Sequence, residues 1–307
     1  MMLQRTRPGE AISKRRTAMA LAVLSSCALT VGATGTASAT AGEHHGTPRS
    51  NYVALGDSYT SGPLIPTQVD ANCARSDHNY PSITANQRKV TSFTDVSCGG
   101  ATTAEMWQAQ GTNGPQLDAV KRDTDLVTVQ IGGNDVGFGS IIGTCAGLSA
   151  KDLAGNPCQQ YYGAAGYDQL TLKILQTAPK VARVLRAVHD KAPHARVVVV
   201  GYPDLLPDDG TGCYPTVPFA AKDFPYLRDT EKHLNIMLRA VALLNRADYV
   251  DTYGPTVGHD MCKAPADRWI EPLRPTAPAA PAHPNAKGEE AMAQALMKTL
   301  ARGAGHR

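Results

Sequence analysis

Four short stretches carry the side chains that acyl transfer would need. "GDSYTSG" holds Ser58, "SCGGATT" holds Gly99 and Gly100, "IGGND" holds Asn134, and "HPNAKG" holds His283. A serine hydroxyl is a weak nucleophile until a base takes its proton, and histidine is the side chain suited to that near neutral pH. Attack on an ester carbonyl creates an oxyanion that needs donors already aimed at it. Ser58 and Gly100 can offer backbone N–H groups and Asn134 a side-chain N–H. Each residue alone has a plainer reading: a strand-end serine is commonly a turn, an asparagine before a helix a cap. The four in this order carry more weight than any one of them.

The elements that must position them follow from periodicity. Strands are expected at 52–56, 90–97, 125–132, 196–203 and 248–252, the third and fourth as near-continuous apolar runs suited to burial on both faces of a parallel sheet. Helices are expected at about 79–88, 114–121, 168–190, 225–246 and 285–301. This alternation predicts a three-layer α/β/α fold with a central parallel sheet of about five strands. Ligands bind such sheets outside the carboxyl ends of the strands. Ser58, Gly100 and Asn134 each follow a predicted strand there, and His283 directly precedes the last helix.

The four blocks resemble those of the SGNH, or GDSL-type, hydrolases, and within them the secreted actinobacterial esterase and lipase group. They span residues 56–288 in the family's order. The resemblance implies the flavodoxin-like SGNH fold, an acyl-enzyme mechanism, Ser58 as nucleophile, His283 as base, Gly100 and Asn134 as oxyanion donors, and no cofactor. The chain departs from the commonest family pattern in one place: Ala280 stands where many members carry an aspartate, three residues before the histidine. A Ser-His-Asp triad of that spacing is therefore excluded. Pro281 and Pro284 restrict the residues before them to extended conformations, and the expectation is a Ser58–His283 dyad whose imidazole is oriented by the backbone carbonyl of Ala280. Asp57 reads as a structural turn residue.

The remaining features bound the setting. Residues 1–39 have a basic start (Arg5 to Arg16), an apolar middle and a small-residue cleavage site at Ala37-Ser38-Ala39, the pattern of an export signal. The apolar run is short of the ~20 residues a membrane span needs. Arg15-Arg16 could mark a twin-arginine route, and "LSSC" could make Cys27 a lipoprotein anchor, although the apolar stretch continues past it. Residues 40–50 read as a loose tail and 51–307 as one catalytic domain. Taking the signal's five basic residues and one acid from the chain's 30 basic and 27 acidic leaves a mature charge close to −1. Nothing in that balance recommends a nucleic-acid partner.

Six cysteines remain after the signal: Cys73, Cys98, Cys145, Cys158, Cys213 and Cys262. An even number in an exported chain reads as three disulfides, expected to pair in sequence order. None has Cys-x-x-Cys spacing, so no metal centre is expected. The apolar stretches 62–69, 138–143, 202–207 and 214–219 are candidate acyl-binding loops, while Trp107 and Trp269 are the two tryptophans on which a sugar could stack. The expectation is a monomer acting on a lipid or other small ester. A carbohydrate acetylesterase using the same residues and a non-catalytic binding protein are the alternatives.

Overall fold

The computed structural model describes residues 50–302. The export segment with Cys27 and the tail through residue 49 lie outside the described residues. Five parallel strands form the main sheet: β1 (Asn51–Gly56), β4 (Ser92–Asp95), β5 (Leu126–Gln130), β6 (Arg196–Val200) and β7 (Asp248–Val250), in the order β4-β1-β5-β6-β7. Two short strands, β2 (Gln68–Asp70) and β3 (Arg75–Ser76), make a separate antiparallel hairpin. Numbered within the main sheet alone, the order is 2-1-3-4-5, the flavodoxin-like doubly wound arrangement, whose switch point lies between the first and third strands. Here those are β1 and β5.

Both faces of the sheet are covered at its centre, which explains why β5 and β6 read as continuous apolar runs. Val53, Leu55, Val127, Val129, Val197 and Val199 face the side packed by α6 (Gln169–Lys191) and α7 (Asp223–Leu244). The alternate residues, Tyr52, Ala54, Leu126, Val198, Val200 and Val250, face α2 (Tyr80–Arg88) and α9 (Ala286–Arg302). Helix α6 begins where Asp168 accepts from Leu170 N–H, and it buries Leu170, Ile174, Val181, Leu185 and Val188 at helical spacing.

Short helices crowd the carboxyl edge: α1 (Ser58–Ser61) after β1, then α3 (Gly133–Val136) and α4 (Phe138–Ser149) after β5, with α5 (Pro157–Gly163) beside α4 and α8 (Tyr253–Thr256) after β7. The helix expected at 114–121 is a single 3-10 turn, Gln116–Ala119, opened by Pro115. The stretch 138–143, read from sequence as a loop, opens α4. Its glycines make it a poor helix former, but the Cys145–Cys158 disulfide fastens it to α5. The other two disulfides join Cys73 to Cys98 and Cys213 to Cys262, so all three pair in sequence order. Among the described residues no helix is long and apolar enough to cross a membrane, and no group of three metal-ligating side chains could hold an ion.

Candidate active site

Ser58 is the first residue of α1, one residue beyond the cap Asp57. The turn is tight: a Cβ at Gly56 would stand 2.1 Å from Thr60 Oγ1 and 2.8 Å from the Gln130 carbonyl, so only glycine lets β1 end there. The side-chain amide of Gln116 accepts from Gly56 N–H and donates to Gly56 O, at 2.8 and 2.9 Å, and fixes the strand end. Asp57 accepts from Tyr59 N–H at 2.9 Å, the structural turn role expected of it.

His283 reaches Ser58 from the opposite end of the chain. Its Nε2 lies 2.7 Å from Ser58 Oγ, and its Nδ1 lies 2.7 Å from the carbonyl oxygen of Pro281. With Nδ1–H donating to that carbonyl, Nε2 is left unprotonated and accepts from the serine hydroxyl. The acceptor is thus not the expected Ala280 carbonyl but its neighbour. Ala282 takes a left-handed φ of 58°, which swings the Pro281 carbonyl under the imidazole. The Ala280 carbonyl instead accepts from the backbone N–H of His283 at 3.2 Å.

Aromatic rings complete the seat of the histidine. Tyr59 stacks on His283 with centroids 4.6 Å apart, and Phe138 meets its edge at 5.9 Å. The Tyr59 hydroxyl donates to the Ala282 carbonyl at 2.6 Å, so one side chain touches both the ring and the turn that carries it. Burial among these groups holds the imidazole below its ordinary pKa, against a smaller upward pull from the Pro281 carbonyl. Asp260 and Asp267 do not bond to His283: the Asp260 carboxylate accepts from Cys262 N–H, and Asp267 offers its backbone carbonyl to His259.

Gly100 and Asn134 line the same groove as Ser58 and His283. Gly100 has a left-handed φ of 80°, a conformation natural to glycine. Asn134 Nδ2 donates one hydrogen to the Ala101 carbonyl at 2.9 Å, which leaves its second hydrogen for a ligand. Among the described residues, the N–H groups of Ser58 and Gly100 have no backbone acceptor. Asp135 locks the two loops together by accepting from Thr103 N–H at 2.8 Å and Thr103 Oγ1 at 2.6 Å, and Lys180 lies 3.3 Å from it.

Tyr202, just past β6, was not singled out by sequence except as part of an apolar loop. Its hydroxyl donates to Asp57 Oδ2 and accepts from Gly133 N–H at 2.9 Å. It thereby bridges the turn that carries Ser58 and the turn that carries Asn134. Burial pushes the Asp57 carboxyl up to about 7 despite the hydrogen bonds from Tyr202 and Tyr59 that pull it down. The available signal was position, since Tyr202 follows β6 as Ser58 follows β1.

Two depressions meet at Ser58. A deep apolar pocket is walled by Phe138 and Ile141 of α4, Ile174 of α6, Leu227 and Leu234 of α7, and Leu205, Phe219 and Met261 from loops. A more open groove runs past Pro63, Gly100, Leu273 and His283. Three of the loops expected to bind an acyl group, 138–143, 202–207 and 214–219, supply pocket walls. The fourth, 62–69, contributes Pro63 to the groove.

Comparison with known proteins places the chain in a family. The family model for the GDSL-like lipase/acylhydrolase family matches residues 54–291. Lipase 2 of Streptomyces coelicolor is 41% identical over 286 residues, covering 88% of this chain and 95% of the relative. An esterase of Streptomyces scabiei is 31% identical over 328 residues, covering 92% and 93%. Among solved structures, phospholipase A1 from Streptomyces albidoflavus superposes with a TM-score of 0.69 at 26% identity, covering 82% of this chain and 99% of that one. The extracellular lipase of Streptomyces rimosus gives 0.67 at 27%, covering 81% and 99%. With a match running from β1 to the last helix, the chain belongs to the GDSL-like lipase/acylhydrolase family and is a carboxylic ester hydrolase.

Proposed function

We propose that the chain is an exported lipase or carboxylesterase working through a Ser58–His283 dyad and an acyl-enzyme intermediate. One observation carries the reading: His283 lies within hydrogen-bond reach of Ser58 Oγ while its other ring nitrogen is tied to a carbonyl. Ser58 Oγ attacks the ester carbonyl carbon and gives its proton to His283 Nε2. The oxyanion is met by the N–H groups of Ser58 and Gly100 and by Asn134 Nδ2. Collapse breaks the bond to the alcohol oxygen, which leaves with the proton from Nε2. Water then attacks the acyl-enzyme, passes a proton to Nε2, and collapse frees the acid and returns the proton to Ser58.

Export is supported by the signal pattern of residues 1–39 and by three disulfides. The apolar depth of the pocket favours an acyl chain longer than acetyl, and with it a lipolytic enzyme over a carbohydrate acetylesterase. A phospholipase is the second reading, favoured by the likeness to the S. albidoflavus phospholipase A1.

Hydrolysis of p-nitrophenyl esters from acetyl to palmitoyl tests the mechanism. The mature protein is expected to cleave them with an optimum beyond acetyl. Ser58→Ala should lower turnover by roughly 10⁴-fold or more, and Asn134→Ala by about 10²- to 10³-fold. A Ser58→Ala variant with the parent rate would remove the dyad.

A further inference from the structure

The turn that carries His283 closes a strap, residues 271–284, in which every third residue is a proline: Pro272, Pro275, Pro278, Pro281 and Pro284. Proline has no N–H to donate, and proline-rich chain of this kind makes few hydrogen bonds of its own. Groups other than the prolines must therefore fix where the strap ends, and with it where His283 Nε2 stands relative to Ser58 Oγ.

Glu271, at the start of the strap, supplies those bonds. Its backbone pairs with the histidine turn: Glu271 N–H donates to the His283 carbonyl at 2.9 Å, and Ala282 N–H donates to the Glu271 carbonyl at 3.0 Å. Its side chain is buried, the residue being 1% exposed, and the carboxylate reaches two further points. Oε1 accepts from Asn285 Nδ2 at 2.9 Å, two residues past His283. Oε2 accepts from the N–H groups of Thr276 at 2.8 Å and Ala277 at 3.2 Å, in the middle of the strap, with Arg268 Nη2 3.5 Å away. Asn285 in turn caps α9, its Oδ1 accepting from Lys287 and Gly288 N–H. One residue thus ties the beginning, the middle and the far end of the strap, and refers the histidine turn to α9.

The charge matters as well as the shape. Burial pushes the Glu271 carboxyl up, but the hydrogen bonds from Thr276, Asn285 and Ala277, with the Arg268 guanidinium, outweigh it and hold the group below its ordinary pKa. An amide of the same size does not replace it. In either orientation its NH2 faces a donor, at Asn285 or at Thr276, and Asn285 cannot flip to help because its oxygen is held by the α9 cap.

We infer that Glu271 is a positioning residue for the dyad, its carboxylate setting the His283 turn through Asn285, Thr276 and Ala277. This rests on the Ser58–His283 reading and adds to it a residue that lines neither the pocket nor the groove.

The test uses p-nitrophenyl octanoate, with turnover expressed per Ser58 titrated by an alkyl p-nitrophenyl phosphonate so that unfolded protein is not counted. Glu271→Gln should lower kcat on the order of 10- to 100-fold, with KM changed much less. Its acid limb should move up toward about 6.5 as the imidazole regains water. Glu289→Gln is the control for a purely structural role. Glu289 is as deeply buried and accepts from Tyr80 N–H at 2.7 Å, but has no bond to the strap. That variant should lower the melting temperature and leave kcat and the acid limb in place. Asn285→Ser, which keeps a capping oxygen and deletes the donor to Oε1, should repeat the Glu271→Gln pattern in milder form, and decides the matter if Glu271→Gln does not fold. Parent kcat in folded Glu271→Gln overturns the inference, as does parent kcat with an unmoved acid limb in Asn285→Ser. So does a loss in Glu271→Gln no larger than in Glu289→Gln. If Ser58→Ala cleaves as fast as the parent protein, the dyad itself fails and the inference falls with it; if Ser58→Ala is inactive while Glu271→Gln runs at the parent rate, only the inference fails.

Discussion

A carbonyl oxygen can hold an imidazole in place, but it brings no full negative charge to stabilise the imidazolium. His283 is paired with the Pro281 carbonyl rather than a carboxylate, and burial against Tyr59 and Phe138 lowers its pKa. In the proposed mechanism the working form is the neutral ring, which persists in the folded protein below the ordinary histidine value. The acid limb of kcat/KM should thus have its midpoint under about 6.5. The same shift enters stability: the neutral ring is favoured in the fold above the unfolded value, and that contribution is lost as pH falls through the lower folded value. Asp57, pushed up to about 7, titrates close by, so the profile should be measured in Asp57→Asn as well. A limb at or above 6.5 that survives in that variant would mean the imidazole is not desolvated as its surroundings require.

The elements that carry the site are joined by few side chains, and Tyr202 holds two of them at once. Removing its hydroxyl in Tyr202→Phe leaves Asp57 Oδ2 and Gly133 N–H without their shared partner. A buried polar group left unpaired costs about 1–3 kcal/mol. Because the turns bearing Ser58 and Asn134 would lose their common reference, kcat should fall on the order of 10- to 100-fold with KM changed much less. Thermal unfolding and steady-state kinetics on one ester measure both, and parent values in both would make the bridge idle. Such a bridge was invisible to sequence reasoning because it depends on where β6 ends relative to β1 and β5. The central strands were legible because burial on two faces writes long apolar runs, as in "RVVVV" of β6, whereas the edge strand β4, "SFTD", is half exposed. Helix α4 was not, since its glycines argue against a helix that the Cys145–Cys158 bond and packing on α5 impose. Ser58, Gly100, Asn134 and His283 stood out by type and order. The orienting carbonyl was placed one residue early because the left-handed turn at Ala282 leaves no mark on an alanine.

At the scale of the whole molecule, the disulfides tie segments of the carboxyl edge to the core, where Cys73, Cys98, Cys145 and Cys158 are buried. Cys73–Cys98 sits directly before Gly99 and Gly100, and Gly99 N–H donates to the Cys73 carbonyl at 2.8 Å. Cys213–Cys262 closes the longest loop, 49 residues, next to Met261 of the pocket wall. Cys145–Cys158 closes 13 residues and ties α4 to α5. Chain-entropy arguments assign about 3 kcal/mol to the shortest closure and about 4 to the longest, so removing Cys213–Cys262 should lower the melting temperature most. Activity should follow a different order, because function depends on which loop is released and not on how long it is. Replacing Cys73 and Cys98 by serine should reduce kcat more than replacing Cys145 and Cys158, even where the two proteins melt within a few degrees of each other. Paired measurements of melting temperature and kcat on the three double-serine variants decide this. If kcat simply tracks melting temperature across them, the disulfides act only through global stability, and the Cys73–Cys98 bond has no special hold on the Gly100 loop.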